Sequence, residues 1–143
     1  MILDSSAVVA ILLKEPGHEE LVELICNASW AGIGAPTMVE ATIVLSARIG
    51  SDARGLVGRF LEDASVDLLP FEPDFYPLAM DGWLRFGKGR HSASLNIGDC
   101  FSYAMAIGHQ SPLLYIGNDF AQTDVPSARS PSKSTGTSAT QWA

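Results

Sequence analysis

Apolar positions in this chain change their spacing at regular intervals, and the changes mark out short strands and longer helices. Met1, Ile2 and Leu3 form an apolar run closed by Asp4, and Ser5-Ser6 then leads into a periodic stretch at 7–13, the pattern of strand, cap and helix. Pro16-Gly17 interrupts it. The spacing of Leu21, Leu24 and Ile25 predicts an amphipathic helix over 19–28, and residues 30–34 read as a short strand ahead of Pro36. A helix is expected over 38–49, closed by Gly50 in the C′ position, followed by a helix at 52–64, a strand at 66–69 and a helix at 74–86 begun after Pro73. Residues 87–95, with glycines, basic residues and serines, read as a surface loop leading to a helix at 97–109, and 113–116 is the last strand. Two of these helices are apolar over most of their circumference, through Val39, Ile43, Val44 and Leu45 in one and Phe101, Tyr103, Met105 and Ile107 in the other. Both are expected to be buried. Trp83 and Tyr103, aromatic residues at helical spacing, are expected in the core.

Strands that alternate with helices favour a mainly parallel central sheet covered on both faces, a three-layer α/β/α domain whose ligands bind beyond the carboxyl ends of the strands. A chain of 143 residues, 47% hydrophobic and 17% charged, suits one folded unit. That unit is expected over 1–125. From Pro126 onward the chain is rich in Ser and Thr and has no acidic residue, so 126–143 reads as a disordered tail. The start lacks the basic and apolar segments of a signal peptide, and no apolar run is long enough to cross a bilayer, so a cytoplasmic protein without membrane contact is expected. Cys26 and Cys100 lie in apolar stretches and read as reduced packing residues.

Four acidic residues stand out by position. Asp4 ends the first strand, Glu40 and Asp99 are the only acids in the two most apolar helices, and Asp119 follows the last strand. Each has a plain structural explanation. Thr37-x-x-Glu40 matches a capping box, Asn96-x-x-Asp99 is a near relative, Asp4 can cap the first helix, and Asp119 can cap a turn ending near Gln122. Capping does not explain four of them in one crevice, because a helix N-terminus favours an anion by roughly 0.3–1 kcal/mol, whereas two like charges about 4 Å apart repel by roughly 4 kcal/mol at an effective dielectric of 20. Such a group is either spread out or neutralised by protons or a divalent cation. Hard oxygen donors select Mg²⁺ or Mn²⁺ over zinc, and His18, His91 and His109 lack metal-ligand spacing. An acid cluster holding Mg²⁺ suits phosphodiester hydrolysis.

The segments Ile2-Leu3-Asp4-Ser5-Ser6-Ala7, Pro36-Thr37-Met38-Val39-Glu40, Leu95-Asn96-Ile97-Gly98-Asp99-Cys100-Phe101-Ser102-Tyr103-Ala104 and Gly117-Asn118-Asp119-Phe120 resemble, in order, the motifs of PIN-domain ribonucleases of the VapC toxin family. The segment around Asp99 is the most specific, and the resemblance spans residues 1 to about 125. It implies a PIN-like fold and a pocket in which acids matching Asp4, Glu40, Asp99 and Asp119 act in catalysis, with Asp4, Asp99 and Asp119 binding Mg²⁺ or Mn²⁺. Ser6 matches a small hydroxyl residue that would position a water beside the metal, Asn118 stands within the last motif, and Asp124 matches an outer partner. The resemblance also implies cleavage of transfer or ribosomal RNA, a VapB-type antitoxin partner and a homodimer. Ile116 departs from the pattern, standing where many relatives have a basic residue.

A net charge of −7 argues against binding nucleic acid through bulk electrostatics, yet Arg85, Lys88 and Arg90 fall in one short stretch. Gly87-Lys88-Gly89-Arg90-His91 resembles a basic loop of a VapC subgroup, which makes Lys88, Arg90 and His91 candidate RNA contacts. A haloacid dehalogenase phosphatase needs a second acid where Ser6 stands, and a receiver domain needs paired acids after the first strand and a Lys after the last. Neither pattern is present. Two alternatives to the toxin ribonuclease stay open: a non-catalytic PIN-like module binding RNA or protein, and a DNA-directed nuclease.

Overall fold

A computed structural model describes residues 1–129. Its elements run β1 (Ile2–Leu3), α1 (Ser5–Leu12), α2 (His18–Asn27), β2 (Gly32–Gly34), α3 (Ala35–Ile49), α4 (Arg54–Asp63), β3 (Asp67–Leu69), α5 (Phe75–Phe86), α6 (Ile97–Gly108) and β4 (Leu113–Leu114), followed by a 3-10 turn, Phe120–Gln122. The four strands form one sheet in the order β3-β2-β1-β4, every pair parallel, with Ile2 opposite both Gly32 and Leu113 and Ile33 opposite Leu68.

The two-residue alternation of a strand sorts the core into two halves. Leu3 and Leu114 point to the face covered by α1 to α4, where they pack with Val8, Leu21, Leu45 and Val57. Ile2 and Leu113 point to the opposite face and pack with Phe86, Leu95, Tyr103 and Met105 from α5, α6 and the loop between them. Strands buried on both sides in this way need continuous apolar runs, which the sequence supplies. The expected three-layer α/β/α architecture with a parallel sheet is therefore the observed one. Strand order advances from β1 to β2 to β3 with helices on one face, then returns to β4 on the far side of β1 with helices on the other. The order reverses between β1 and β4, and folds of this kind bind ligands in the crevice beyond the carboxyl ends of the strands at such a point.

Several expectations change. Helix α3 begins at Ala35, before the expected 38, because Pro36 is tolerated in a first turn whose N–H groups have no intrahelical acceptor. Its buried stripe is Thr37, Ala41 and Leu45, whereas Val39 and Ile43 are 59% and 63% exposed, so the apolar circumference did not mean full burial. Helix α6 is buried through Ser102 to Ala106, as expected. Cys100 is buried but Cys26 is exposed, contrary to its reading as packing. Tyr103 is in the core, but Trp83 is 38% exposed. Main-chain pairing runs past 125, since Leu113 N donates to Pro126 O (2.8 Å) and Ala128 N to Leu113 O (2.9 Å). The remainder of the expected tail, 130–143, lies outside the described residues.

Helices α5 and α6 make close contact at Gly108, where an added Cβ would overlap the ring of Phe75. Gly108→Ala is expected to cost about 1–3 kcal/mol by overpacking, read as a lower urea midpoint with an unchanged m-value.

Candidate active site

The crevice between β1 and β4 collects the four acids from four elements. Asp4 follows β1 directly, Glu40 lies in the second turn of α3 just after β2, Asp99 is the third residue of α6, and Asp119 is in the loop after β4. Asp4 is 3% exposed and would be costly to bury as a charge without donors. It has three. Oδ2 accepts from Ser6 N (3.1 Å) and Ser6 Oγ (2.6 Å), and Oδ1 accepts from Ser102 Oγ (2.6 Å). Ser6 Oγ in turn accepts from Ile116 N (3.0 Å), tying the carboxylate to the loop that carries Asp119. Ser102 is itself buried and meets Thr37 Oγ1 at 3.3 Å, which joins α6 to α3 beneath the site.

Glu40 is half-buried and accepts a short hydrogen bond from Ser5 Oγ. Its carboxylate lies against Gly98, where any Cβ would fall inside its van der Waals shell, so only glycine lets Glu40 come this close to the start of α6. Asp99 completes a capping box: its Oδ2 accepts from Asn96 N (3.0 Å), while Asn96 Oδ1 accepts from Asp99 N (2.9 Å). Burial pushes the Asp99 carboxyl up to about 6, and the negative charges of Asp4, Asp119 and Glu40 add to the rise against the opposing Asn96 N–H. Those four acids, remote in sequence, share one electrostatic environment.

Capping therefore explains part of the pattern. Asp4 caps α1 and Asp99 caps α6. Glu40 does not cap α3, whose N-cap is Gly34, and Asp119 heads its 3-10 turn without a side-chain cap bond. The two acids left without a capping role are the stronger indication of chemistry.

The other candidates separate. Ser6 sits at Asp4 as described, and Asn118 is exposed beside Asp119, its carbonyl accepting from Gln122 Nε2 at 3.4 Å. Asp124 turns elsewhere, accepting from Tyr103 Oη (2.9 Å) and Arg85 Nη1 (3.1 Å), and it is not among the charges that raise Asp99. Burial, followed by the Asp124 hydrogen bond, pushes the Tyr103 phenol up to about 12. In the basic loop, Arg90 Nε donates to Leu84 O (3.0 Å) with its guanidinium 5.0 Å from the Trp83 ring centroid, and His91 Nδ1 accepts from Ala93 N (3.0 Å). Lys88 is exposed, and its ammonium has no partner among the described residues. Sequence reasoning did not single out Ser5, Thr37, Gly98 or Ser102. Ser102 carried a signal, as a hydroxyl one turn beyond Asp99 in an otherwise apolar helix.

Among the described residues, no three His, Cys, Asp or Glu side chains are arranged as a ready metal-holding group. In the observed rotamers Asp4, Glu40 and Asp99 are each turned to an internal donor. The donor chemistry still fits a hard divalent cation: the site offers carboxylate and hydroxyl oxygens, and such an ion would favour the ionised Asp99 carboxyl that burial and then the neighbouring acids disfavour.

The PIN domain family profile matches residues 1–126. The chain is 44% identical to Ribonuclease VapC36 of Mycobacterium tuberculosis over 87% of this chain and 91% of that one, and 39% identical to Ribonuclease VapC of Mycolicibacterium smegmatis over 87% and 97%. Its fold is shared with the crystal structure of Mycobacterium tuberculosis VapC20, described as a sarcin-ricin loop cleaving toxin (TM-score 0.72, 16% identity, 90% and 98% of the two chains). It is also shared with a chain of a toxin-antitoxin complex from Klebsiella pneumoniae (TM-score 0.65, 14% identity, 91% and 98%). A profile match over almost all the described residues, joined to close relatives of full length, makes this chain a member of the PIN-domain family in its VapC ribonuclease branch.

Proposed function

We propose that this protein is a Mg²⁺- or Mn²⁺-dependent endoribonuclease that hydrolyses RNA phosphodiester bonds as the toxin of a VapB–VapC type pair. The observation that supports the reading is the placement of Asp4, Glu40, Asp99 and Asp119 after β1, after β2, at the start of α6 and after β4, where burial first and the three other charges after it raise the Asp99 carboxyl. In this reading Asp4, Asp99 and Asp119 hold the cation and Glu40, outside that set, takes the proton from the attacking water. When bound, the ion supplies charge stabilisation at the attacked phosphate and makes a nearby water more acidic. Ser6 and Ser102 fix the Asp4 rotamer, and Ser5 with Gly98 fixes Glu40. Asn118 lies in the loop of Asp119, while Asp124, clamped by Arg85 and Tyr103, steadies that loop as an outer partner. Of the basic loop, Lys88, Arg90 and His91 contact the RNA in this reading, with Lys88 exposed and Arg90 and His91 bonded to Leu84 O and Ala93 N.

The substrate in this reading is a structured RNA of the transfer or ribosomal class, and the nuclease domain is residues 1–125. The remaining partners are a VapB-type antitoxin and a second copy of the chain. Exposed Val39 and Ile43 on α3, with Leu68 on the edge strand β3, supply apolar surface for a homodimer. No helix of the described residues is long and apolar enough to cross a membrane, and an RNA substrate suits a cytoplasmic protein.

The test incubates purified protein, freed of any partner, with RNA and with single-stranded DNA in Mg²⁺, Mn²⁺ or chelator. Cleavage of RNA alone, restored by metal after chelation, is expected, together with a thermal midpoint that rises as Mg²⁺ is added through mass action on the folded state. Equal cleavage of DNA would redirect the reading to a general nuclease, and metal-insensitive behaviour in both assays would remove it.

A further inference from the structure

An apolar groove of about 510 Å³ opens beside the acid cluster, between the exposed face of α5 and the start of α6. Tyr76, Trp83, Ile97 and Phe101 line it, with Lys88 and Asn96 at the polar side. Tyr76 and Ile97 are 66% and 75% exposed, so the aromatic wall faces solvent. Asn96 is also the residue that clasps Asp99 through the capping box, so the groove and the candidate active site meet at the start of α6. The indole of Trp83 is held in place: Arg90 lies over its ring, and the missing side chain at Gly87 lets it rest on backbone, where a Cβ would stand 2.8 Å from Trp83 Nε1. A fixed aromatic surface next to a cation is a stacking platform for a nucleobase, and in a chain of net charge −7 the Lys88 ammonium is local complementarity to a phosphate.

At the polar side of the groove Asn96 Nδ2 and Lys88 Nζ can donate, and Asn96 Oδ1, which accepts from Asp99 N, keeps a second lone pair. Tyr76 Oη can serve either way. We propose that this groove is a subsite for one splayed-out RNA base next to the cleaved bond, stacked on the aromatic wall with the neighbouring phosphate met by Lys88. The inference rests on the RNA-cleaving function proposed above and assigns to that reaction a base-recognition site outside the acid cluster.

The experiment uses the full chain and short RNAs that differ at one nucleotide, bearing G, U, A, C or an abasic residue. With wild-type protein, steady-state cleavage should show a lower KM for each base-bearing RNA than for the abasic one. Trp83→Ala should raise KM about tenfold with kcat within about twofold, since stacking is lost without touching the acids, and Trp83→Phe should restore most of the affinity. Equilibrium binding of the same labelled RNAs to the Asp99→Asn variant reads the groove independently of catalysis, so a wild type that fails to cleave would defeat the functional reading while leaving the subsite measurable. An abasic RNA bound as tightly as its guanine counterpart would overturn the proposal. So would Trp83→Ala and Tyr76→Ala variants that keep RNA affinity, including the case in which they lose affinity for a protein partner instead.

Discussion

Asp99→Asn is expected to reduce RNA cleavage to below about 1% of wild type and, at the same time, to make the metal-free protein more stable. The two effects have one cause. The Asp99 carboxyl is held at about 6, against 3.8 for an unperturbed Asp, by burial and by the charges of Asp4, Asp119 and Glu40. Between those values the folded state binds more protons than the unfolded one, so stability falls as pH rises through the window, and the full penalty is present above about pH 6. Two pK units correspond to about 3 kcal/mol, reduced to about 1–2 kcal/mol here because the carboxyl is partly exposed to solvent screening. The amide of Asn keeps an oxygen to accept from Asn96 N and so retains the cap while removing the charge. A thermal midpoint higher by roughly 3–6 °C at pH 7.5, converging with wild type near pH 4, is the expected result. A variant less stable than wild type at pH 7.5 would show that Asp99 serves the fold rather than the chemistry.

Asp4→Ala is expected to abolish cleavage as well, with the opposite effect on stability. Asp4 is buried and accepts from Ser6 N, Ser6 Oγ and Ser102 Oγ, and it is the N-cap of α1. Its removal leaves the Ser102 hydroxyl without its short acceptor in the core and deprives α1 of its cap, a loss of about 2–4 kcal/mol in all. Urea unfolding of Asp4→Ala and Asp99→Asn side by side distinguishes the two acids. Midpoints displaced in opposite directions are expected, and a common direction would contradict the division of roles between a carboxylate satisfied by hydroxyls and one crowded by charge. Such opposition is typical of sites in which local stability is given up for function.

The two acids also mark how far the sequence could be read. Apolar runs such as Ile2-Leu3 and Leu113-Leu114 located the strands because a strand buried on both faces has no polar alternation, and Pro36, Gly50 and Asn96 located helix ends because backbone geometry and orphan N–H groups restrict those positions. The four acids could be found by their placement at strand ends and helix starts. Orientation could not. Val39 and Ile43 read as buried from composition, yet α3 turns them outward because its buried stripe is Thr37, which meets α6, with Ala41 and Leu45, which pack in the core with α1. Trp83 read as core for the same reason and lines an open groove.

Local sequence thus determined the elements, their order, the parallel sheet and the identity of the acids, since those follow from side-chain period and from backbone restrictions acting within a few residues. The tertiary structure alone decided that Asp4 is held by Ser102, that Glu40 lies against Gly98 at the start of α6, and that Asp124 faces Arg85 instead of the acid cluster. Hydrogen bonds and charge–charge forces depend on distances of a few ångströms between residues up to 110 positions apart, and no pattern read along the chain contains those distances.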